Sequence, residues 1–489
     1  MELLTTKELS NLWGISARRI AVLCEENRVK GAVKKGKTWL IPKDVEKPCD
    51  ERHKKIIGEI EDLKKIESRY NVIYPDSPNA TYTSLLNYSD DLNKPFQRWY
   101  RYKEGFSVEL VKQLIDEYCV KKNGVILDPF SGSGTTLLAG KEMGYSCVGF
   151  EVNPFSFFLA QCKLDVYDKK LIDQFKKSYE SILENAESFE IEYELPKLSI
   201  SEKVFEKNIE KYYMTVIYLI DDEKYIDIKV KKLLKLGWLA CLEPLSNYRK
   251  AGNGLKIKKY VKPRIITVED AKIMLLEQYQ NMYIDLLKNR NIENVNLIND
   301  SCLNMHKYLN SSSVNGIIFS PPYANCFDYT EIYKLELWFG GFVKEYADLK
   351  KLRCKSLHSH LNGNLNSDVE TRSELLSILL DKLGEKKLWD KKIPKMLKLY
   401  YDDMFNVIDQ CHEVLDTKGF CSIVVGNSAY GGIVFPADLI LAEYAESVGF
   451  KVDKIEIDRY IITSSQQYEM TKDAGKYLRE SVICLVKNK

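Results

Sequence analysis

Histidine is scarce in this chain, five in 489 residues, and only His358 and His360 stand close together. Their spacing alternates faces on a helix and matches no common zinc pattern, so no metal site is expected. The twelve cysteines include no Cys-x-x-Cys pair. That usage reads as reduced thiols of a cytoplasmic protein rather than a disulfide framework. No run of about eighteen apolar residues occurs, so no membrane span is expected. The opening Met-Glu-Leu-Leu-Thr-Thr-Lys lacks the pattern of a signal peptide. A strong charge of one sign is also missing: the formal net charge is +2, so any nucleic-acid surface must be local. There are no internal repeats. What is present is a globular composition, 45% hydrophobic and 29% charged, at a length that suits two or more domains.

The most informative stretch is Val125-Ile-Leu-Asp-Pro-Phe-Ser-Gly-Ser-Gly-Thr-Thr136. Val125 to Leu127 suit a buried parallel strand. Asp128 falls at its carboxyl end, where open α/β sheets bind ligands. Phe130 and Ser131 lead into Gly132 and Gly134, which permit positive φ and close backbone approach. Thr135 then opens a helix whose free N–H groups can receive a carboxylate. A phosphate loop is disfavoured because the Gly-Lys-Ser/Thr ending is missing. A second strand, Cys147 to Phe150, ends on Glu151, placed to accept from ribose hydroxyls. Asn153-Pro154 starts the next helix. A third strand, from Val295, ends at Asp300-Ser301, and a fourth, Gly316 to Phe319, ends on Ser320-Pro321-Pro322-Tyr323. The two prolines fix φ and remove two N–H groups, leaving rigid carbonyl acceptors.

These segments, in this order, resemble motifs I to IV of the DNA amino-methyltransferases that act on cytosine N4 or adenine N6. The resemblance covers roughly residues 90–165 and 295–489. It implies a Rossmann-like, seven-stranded α/β methyltransferase sheet and S-adenosylmethionine as cofactor. It implies that Glu151 holds the ribose and that Asp300 accepts from the adenine amine. The Ser320 side chain and the Pro321 carbonyl would accept hydrogen bonds from the target amine and offset its growing positive charge. Tyr323 would stack on a base flipped out of the duplex. Ser-Pro-Pro-Tyr goes mostly with N4-methylcytosine in the family, so cytosine N4 is favoured over adenine N6. Residues 93–107 look like motif X, with Trp99 and Phe106 as candidates to cover the cofactor and ordinary core packing as the alternative. Gly419 to Ser428 and Glu480 to Val486 resemble late strands of the same sheet.

Residues 1–48 hold two short helical patterns around Gly14, capped by Thr5 or Thr6 and by Ser16, then a hairpin pattern. They resemble the winged helix-turn-helix of the excisionase and MerR-type group. That resemblance puts Arg18 and Arg19 on a recognition helix and Lys34, Lys35 and Lys37 on a wing facing phosphates. Residues 49–70 read as a helical linker and 71–90 as loop-rich. Residues 71–165 form the first methyltransferase part, 166–294 a mostly helical insertion and 295–489 the second part, with a target-recognition segment expected in 340–400. Within the insertion, Asn247 to Thr267 carries seven basic residues and no acid. Arg249, Lys250, Lys256, Lys258 and Lys259 are its phosphate-contact candidates, with a merely solvated face as the alternative. The expected partner is double-stranded DNA, with a separately encoded restriction endonuclease as a possible companion. Two other readings stay open: a DNA-binding regulator with an idle methyltransferase fold, and an RNA guanine-N2 methyltransferase.

Overall fold

The computed structural model describes residues 3–14, 16–36, 38–45, 47, 61–75, 88–103, 105–118, 121–222, 224–259, 266–288, 294–461 and 471–488. Lys37, residues 49–60 of the expected linker and 76–87 of the expected loop lie outside them. The chain divides into two compact units, Met1–Ser68 and Arg69–Lys489.

In the smaller unit, β1 (Leu3–Thr5) leads into the helix Thr6–Trp13. Thr5 and Glu8 form a reciprocal capping box at its start. Gly14 ends it at φ 65°, a left-handed position that suits glycine. Ser16 accepts from the Arg19 N–H to open the helix Ala17–Glu25. β2 (Val33–Lys35) and β3 (Thr38–Pro42) complete an antiparallel sheet of order β1-β3-β2. Leu9, Ile20, Leu23 and Ile41 form the core between helices and sheet.

The larger unit carries β4 (Val72–Ile73), β5 (Val125–Asp128), β6 (Ser146–Phe150), β7 (Tyr248–Ala251), β8 (Gly254–Ile257), β9 (Val295–Ile298), β10 (Val314–Phe319), β11 (Leu415–Gly426), β12 (Ser428–Tyr430), β13 (Ile433–Phe435), β14 (Phe450–Tyr460) and β15 (Arg479–Lys487). Its main sheet has the order β4-β14-β15-β11-β10-β5-β6-β9. Strands β9, β6, β5, β10 and β11 are parallel, and β15 lies antiparallel between β11 and β14. The near-continuous apolar runs of β5 and β10 are those of strands covered on both faces. Eight strands are described where seven were expected. The extra one is the two-residue β4, which pairs with β14 through Val72 and Ile455. β14 itself escaped the sequence reading because its pairing shifts register between Val452 and Lys454, which breaks the alternation.

Among the described residues of 166–294 are the helices Lys169–Asn185, Lys207–Asp222, Ile228–Leu245 and Val268–Leu286, with a β7–β8 hairpin. They do not stand apart. Phe175, Tyr213, Trp238 and Tyr279 share one buried core with Trp99, Tyr100 and Phe155 of the sheet layer.

Candidate active-site cleft

The glycine turn after β5 is built from within. Asp128 is buried, and its carboxylate accepts from the Phe130 N–H at 2.9 Å. The Ser131 N–H donates to the Phe150 carbonyl, tying the turn to β6. Gly132 sits at φ 49° and Gly134 at φ 84°. A side chain at Gly132 would begin 3.2 Å from Tyr102, and one at Gly134 would begin 3.2 Å from Ala160. Both positions therefore need glycine for conformation and for space. Glu151 then closes the arrangement. It accepts from the Gly132 N–H and from the Asn153 N–H, each at 2.7 Å. Burial raises both carboxyls, Asp128 and Glu151, to about 7, against the pull of these N–H donors.

The turn forms one wall of a cleft that encloses about 990 Å³ of space, open solvent included. Phe130, Ser131, Gly132 and Thr135 line it on the β5 side. Glu151 and Asn153 line it on the β6 side, Asp300 and Ser301 at the end of β9, and Phe106 from the segment before the sheet. Asn153 caps the helix Pro154–Leu164 with its amide oxygen, while its amide nitrogen is buried and has no partner among the described residues. An unanswered donor in this wall fits a ligand rich in acceptors. Asp300 is held in place, accepting from the Ser301 N–H at 2.8 Å, from Asn304 at 3.2 Å and from the Tyr308 hydroxyl at 2.9 Å. Asp128 and Gly134 do not reach the cleft wall and support the turn from beneath.

At the end of β10, Ser320 and Pro322 line the same cleft and Pro321 is buried behind them. Ser320 Oγ lies 3.4 Å from the Tyr323 hydroxyl, which in turn donates to Glu480, and Glu480 accepts from Arg459. Tyr323 is off the cleft lining proper. Its ring packs so closely on Gly426 that a Cβ there would sit 2.8 Å from Tyr323 Cδ2. The far end of the cleft comes from residues that the sequence reading did not single out for it: Asp328, Tyr329, Leu357 and His360. Tyr102 was equally missed, although it stands in the quoted 93–107 segment. The others carry no local motif and meet the cleft only through the path of residues 327–360.

Three expectations need correction. Trp99 is fully buried, and its indole donates to Asp285 of the insertion, so it is core rather than cofactor wall. Lys250 is buried, paired with Glu336 at 2.6 Å and Glu243 at 2.9 Å beside the rings of Tyr100 and Tyr333, and cannot meet a phosphate. Lys258 donates to the carbonyls of Glu243, Pro244 and Ser246 and finishes the C-terminus of the helix Ile228–Leu245. Arg249, Lys256 and Lys259 are exposed. In the smaller unit Arg18 is exposed, Arg19 half-buried, Lys34 pairs with Glu25 at 3.4 Å and Lys35 is exposed. A stronger basic feature lies in 340–400, in a groove of about 1220 Å³ lined by Lys350, Arg353, Lys391, Lys392 and Lys395. Among the described residues no cluster of His, Cys, Asp and Glu is placed to hold a metal.

A doubly wound sheet of this order, with a cleft running from a glycine turn to a Ser-Pro-Pro-Tyr strand end, defines the class: an α/β methyltransferase. Comparison with known proteins gives the family. The family described as DNA methylase matches residues 7–161. Type II methyltransferase M.AvaI of Nostoc is 31% identical over 408 residues, 76% of this chain and 82% of that enzyme. Type II methyltransferase M.BsoBI of Geobacillus stearothermophilus is 28% identical over 481 residues, 88% of this chain and 92% of that enzyme. An rRNA methylase structure from Streptococcus thermophilus aligns over 78% of this chain and 97% of its own at 8% identity, with a TM-score of 0.27. The chain belongs to the Type II DNA methyltransferase family, and S-adenosylmethionine is its methyl donor.

Proposed function

We propose that this protein methylates the exocyclic amine of a base flipped out of duplex DNA, and that the base is cytosine, modified at N4. Adenine N6 is the alternative product of the same groups. The observation that carries the reading is the hydrogen-bond relay Ser320–Tyr323–Glu480–Arg459, which begins on the cleft wall at Ser320 and runs behind it. The Ser320 hydroxyl donates its hydrogen bond to the Tyr323 oxygen, and the Tyr323 hydroxyl donates to the Glu480 carboxylate, which also accepts from Arg459. The lone pairs of Ser320 Oγ are thereby left for a donor in the cleft. An exocyclic amine is such a donor, and a poor nucleophile because its lone pair is delocalised into the ring. Hydrogen bonds to Ser320 and to a carbonyl of the rigid Pro321-Pro322 turn favour pyramidal nitrogen and stabilise the charge it gains. When bound, S-adenosylmethionine supplies an electrophilic methyl group on a sulfonium. Glu151, Asp300, Asn153 and the glycine turn are the residues that would hold it. Tyr323, its ring fixed against Gly426, offers the flipped base a stacking face.

Duplex DNA has two basic surfaces to meet. One is the groove of Lys350, Lys391 and Lys392, tied to the cleft through Asp328, which lines the cleft and accepts from Arg353 and Asn362 of the groove. The other is the N-terminal unit, which we read as a winged helix-turn-helix with Arg18 and Arg19 at the start of its second helix. The test is to incubate the protein with unmethylated plasmid and S-adenosylmethionine, digest to nucleosides and identify the product by mass spectrometry. N4-methylcytosine is expected, and Ser320→Ala should lower its rate of formation at saturating cofactor. N6-methyladenine would overturn the choice of base, and no methylated nucleoside would overturn the reading.

A further inference from the structure

His360 is the histidine that the cleft makes conspicuous. It is 4% exposed and lines the same cavity as Ser320. Its partners fix the ring and its proton. The backbone N–H of Asn362 donates to His360 Nδ1 at 3.2 Å. The Asn362 side chain donates to Asp328 at 2.9 Å, and Asp328 also accepts from Arg353 at 3.1 Å. Asp328 Oδ2 also faces Nδ1 but at 3.8 Å, beyond hydrogen-bond distance, so Nδ1 is occupied as the acceptor for Asn362 and the neutral ring carries its proton on Nε2. Burial pulls His360 below the usual histidine value against the opposing charge of Asp328, which keeps the ring neutral. Nε2–H has no protein partner among the described residues. The neighbouring His358 is used differently, held by Asp403 at 2.7 Å and by the Asn364 carbonyl. A donor this buried, with its tautomer imposed by the backbone, is a built feature.

The chemistry of amine-bearing bases says what such a donor would meet. In cytosine the ring nitrogen beside the amine-bearing carbon is N3, and in adenine it is N1. Both are bare acceptors. In guanine the Watson–Crick-edge nitrogen beside the amine, N1, carries a proton, although N3 on the other side of that carbon does not, and in thymine N3 carries a proton too. We propose that His360 Nε2–H reads the unprotonated ring nitrogen next to the target amine, and so admits cytosine or adenine while opposing guanine and thymine donor to donor. This rests on the amine-methylation reading above and adds the residue that selects the base.

The test uses full-length protein and a duplex taken from the plasmid region that the wild-type protein methylates. In a second duplex the target base is replaced by its deaza analogue, 3-deazacytosine or 1-deazaadenine, which puts C–H where the ring nitrogen was. Wild type should lose roughly ten- to a hundredfold in kcat/KM on the analogue, the range for a lost buried hydrogen bond. His360→Met, of similar volume but with no donor, should lose a similar factor on the natural duplex and lose little more on the analogue. His360→Gln, which can place an amide N–H near Nε2, should recover part of the discrimination. Calorimetric affinity for S-adenosylmethionine should stay unchanged in both variants, which guards against a folding defect. If His360→Met discriminates between the two duplexes as strongly as wild type does, the assignment of His360 is overturned while DNA methylation stands. If the wild-type protein methylates no DNA, both fall together.

Discussion

The backbone N–H of Gly132 donates to the Glu151 carboxylate at 2.7 Å, closing the turn after β5 onto the end of β6. Two motifs nineteen residues apart thus form one object, and a carboxylate that lines the cleft is the one that holds the turn.

This contact makes cofactor binding depend on pH. Burial raises Glu151 to about 7. Ribose hydroxyls donate to the ionised form, so below that value a proton must leave before the ligand is held. Affinity for S-adenosylmethionine should fall by up to about tenfold per pH unit below 7 and level off above it. For the cofactor-free protein the raised value has the opposite sign. The stability it contributes is full below the ordinary carboxylate pKa and is lost as pH rises through about 7. Calorimetry from pH 5.5 to about 8.5 on wild type and Glu151→Gln is the check, and the variant should show weak binding with little slope. Gly132→Asp should bind weakly at every pH, since it needs a left-handed φ, crowds Tyr102 and sets a second carboxylate beside Glu151.

Tyr323 can be divided into ring and hydroxyl. Tyr323→Phe keeps the stacking face and breaks the relay to Glu480, so the single-turnover rate should drop about tenfold with DNA affinity nearly intact. Tyr323→Ala loses both, adding about 1–3 kcal/mol of lost stacking. Gly426→Ala should resemble the alanine variant more than the phenylalanine one, because its methyl would meet the ring at 2.8 Å. Equal rates for Tyr323→Phe and wild type would remove the relay from the mechanism.

The lysines separate into structural and surface groups. Lys250→Ala leaves Glu336 buried without its cation and should destabilise the fold by about 3–5 kcal/mol. The salt dependence of DNA binding by the surviving folded fraction should not change. Lys391→Glu with Lys392→Glu should leave the melting temperature near that of wild type, weaken DNA binding and reduce the slope of log K against log salt by about two. An unchanged slope would place the DNA elsewhere.

Removing residues 1–48 should leave cofactor affinity intact, since the cleft is built entirely within residues 69–489. DNA affinity or the choice of methylated sites should change. A truncated protein that modifies the same sites at the same rate and salt slope would assign the N-terminal unit another task.

Much of the cofactor half of the cleft was legible because its determinants are local. A glycine turn, a strand-end carboxylate and a double proline act on the backbone within a few residues, so the resemblance of these short segments to family motifs put forward Gly132, Glu151 and Ser320, and all three line the cleft. The rest depended on chain paths that no short window contains. Trp99 became core and Lys250 an internal cation because insertion helices bring Asp285 to Trp99 and Glu243 to Lys250, while the helix Lys334–Phe339 brings Glu336 to Lys250. A lysine in a basic run looks solvated until a carboxylate from a distant helix is packed over it. His360 looked like half of a weak metal pair until residues 327–362 folded back on the strand ends, where Asn362 and Asp328 fixed its orientation. The sequence by itself determined which strands and turns could form and what they could bind. Only the tertiary structure decided which polar groups were used up inside and which were left facing the cleft, because burial and partnership are properties of packing between segments far apart in the chain.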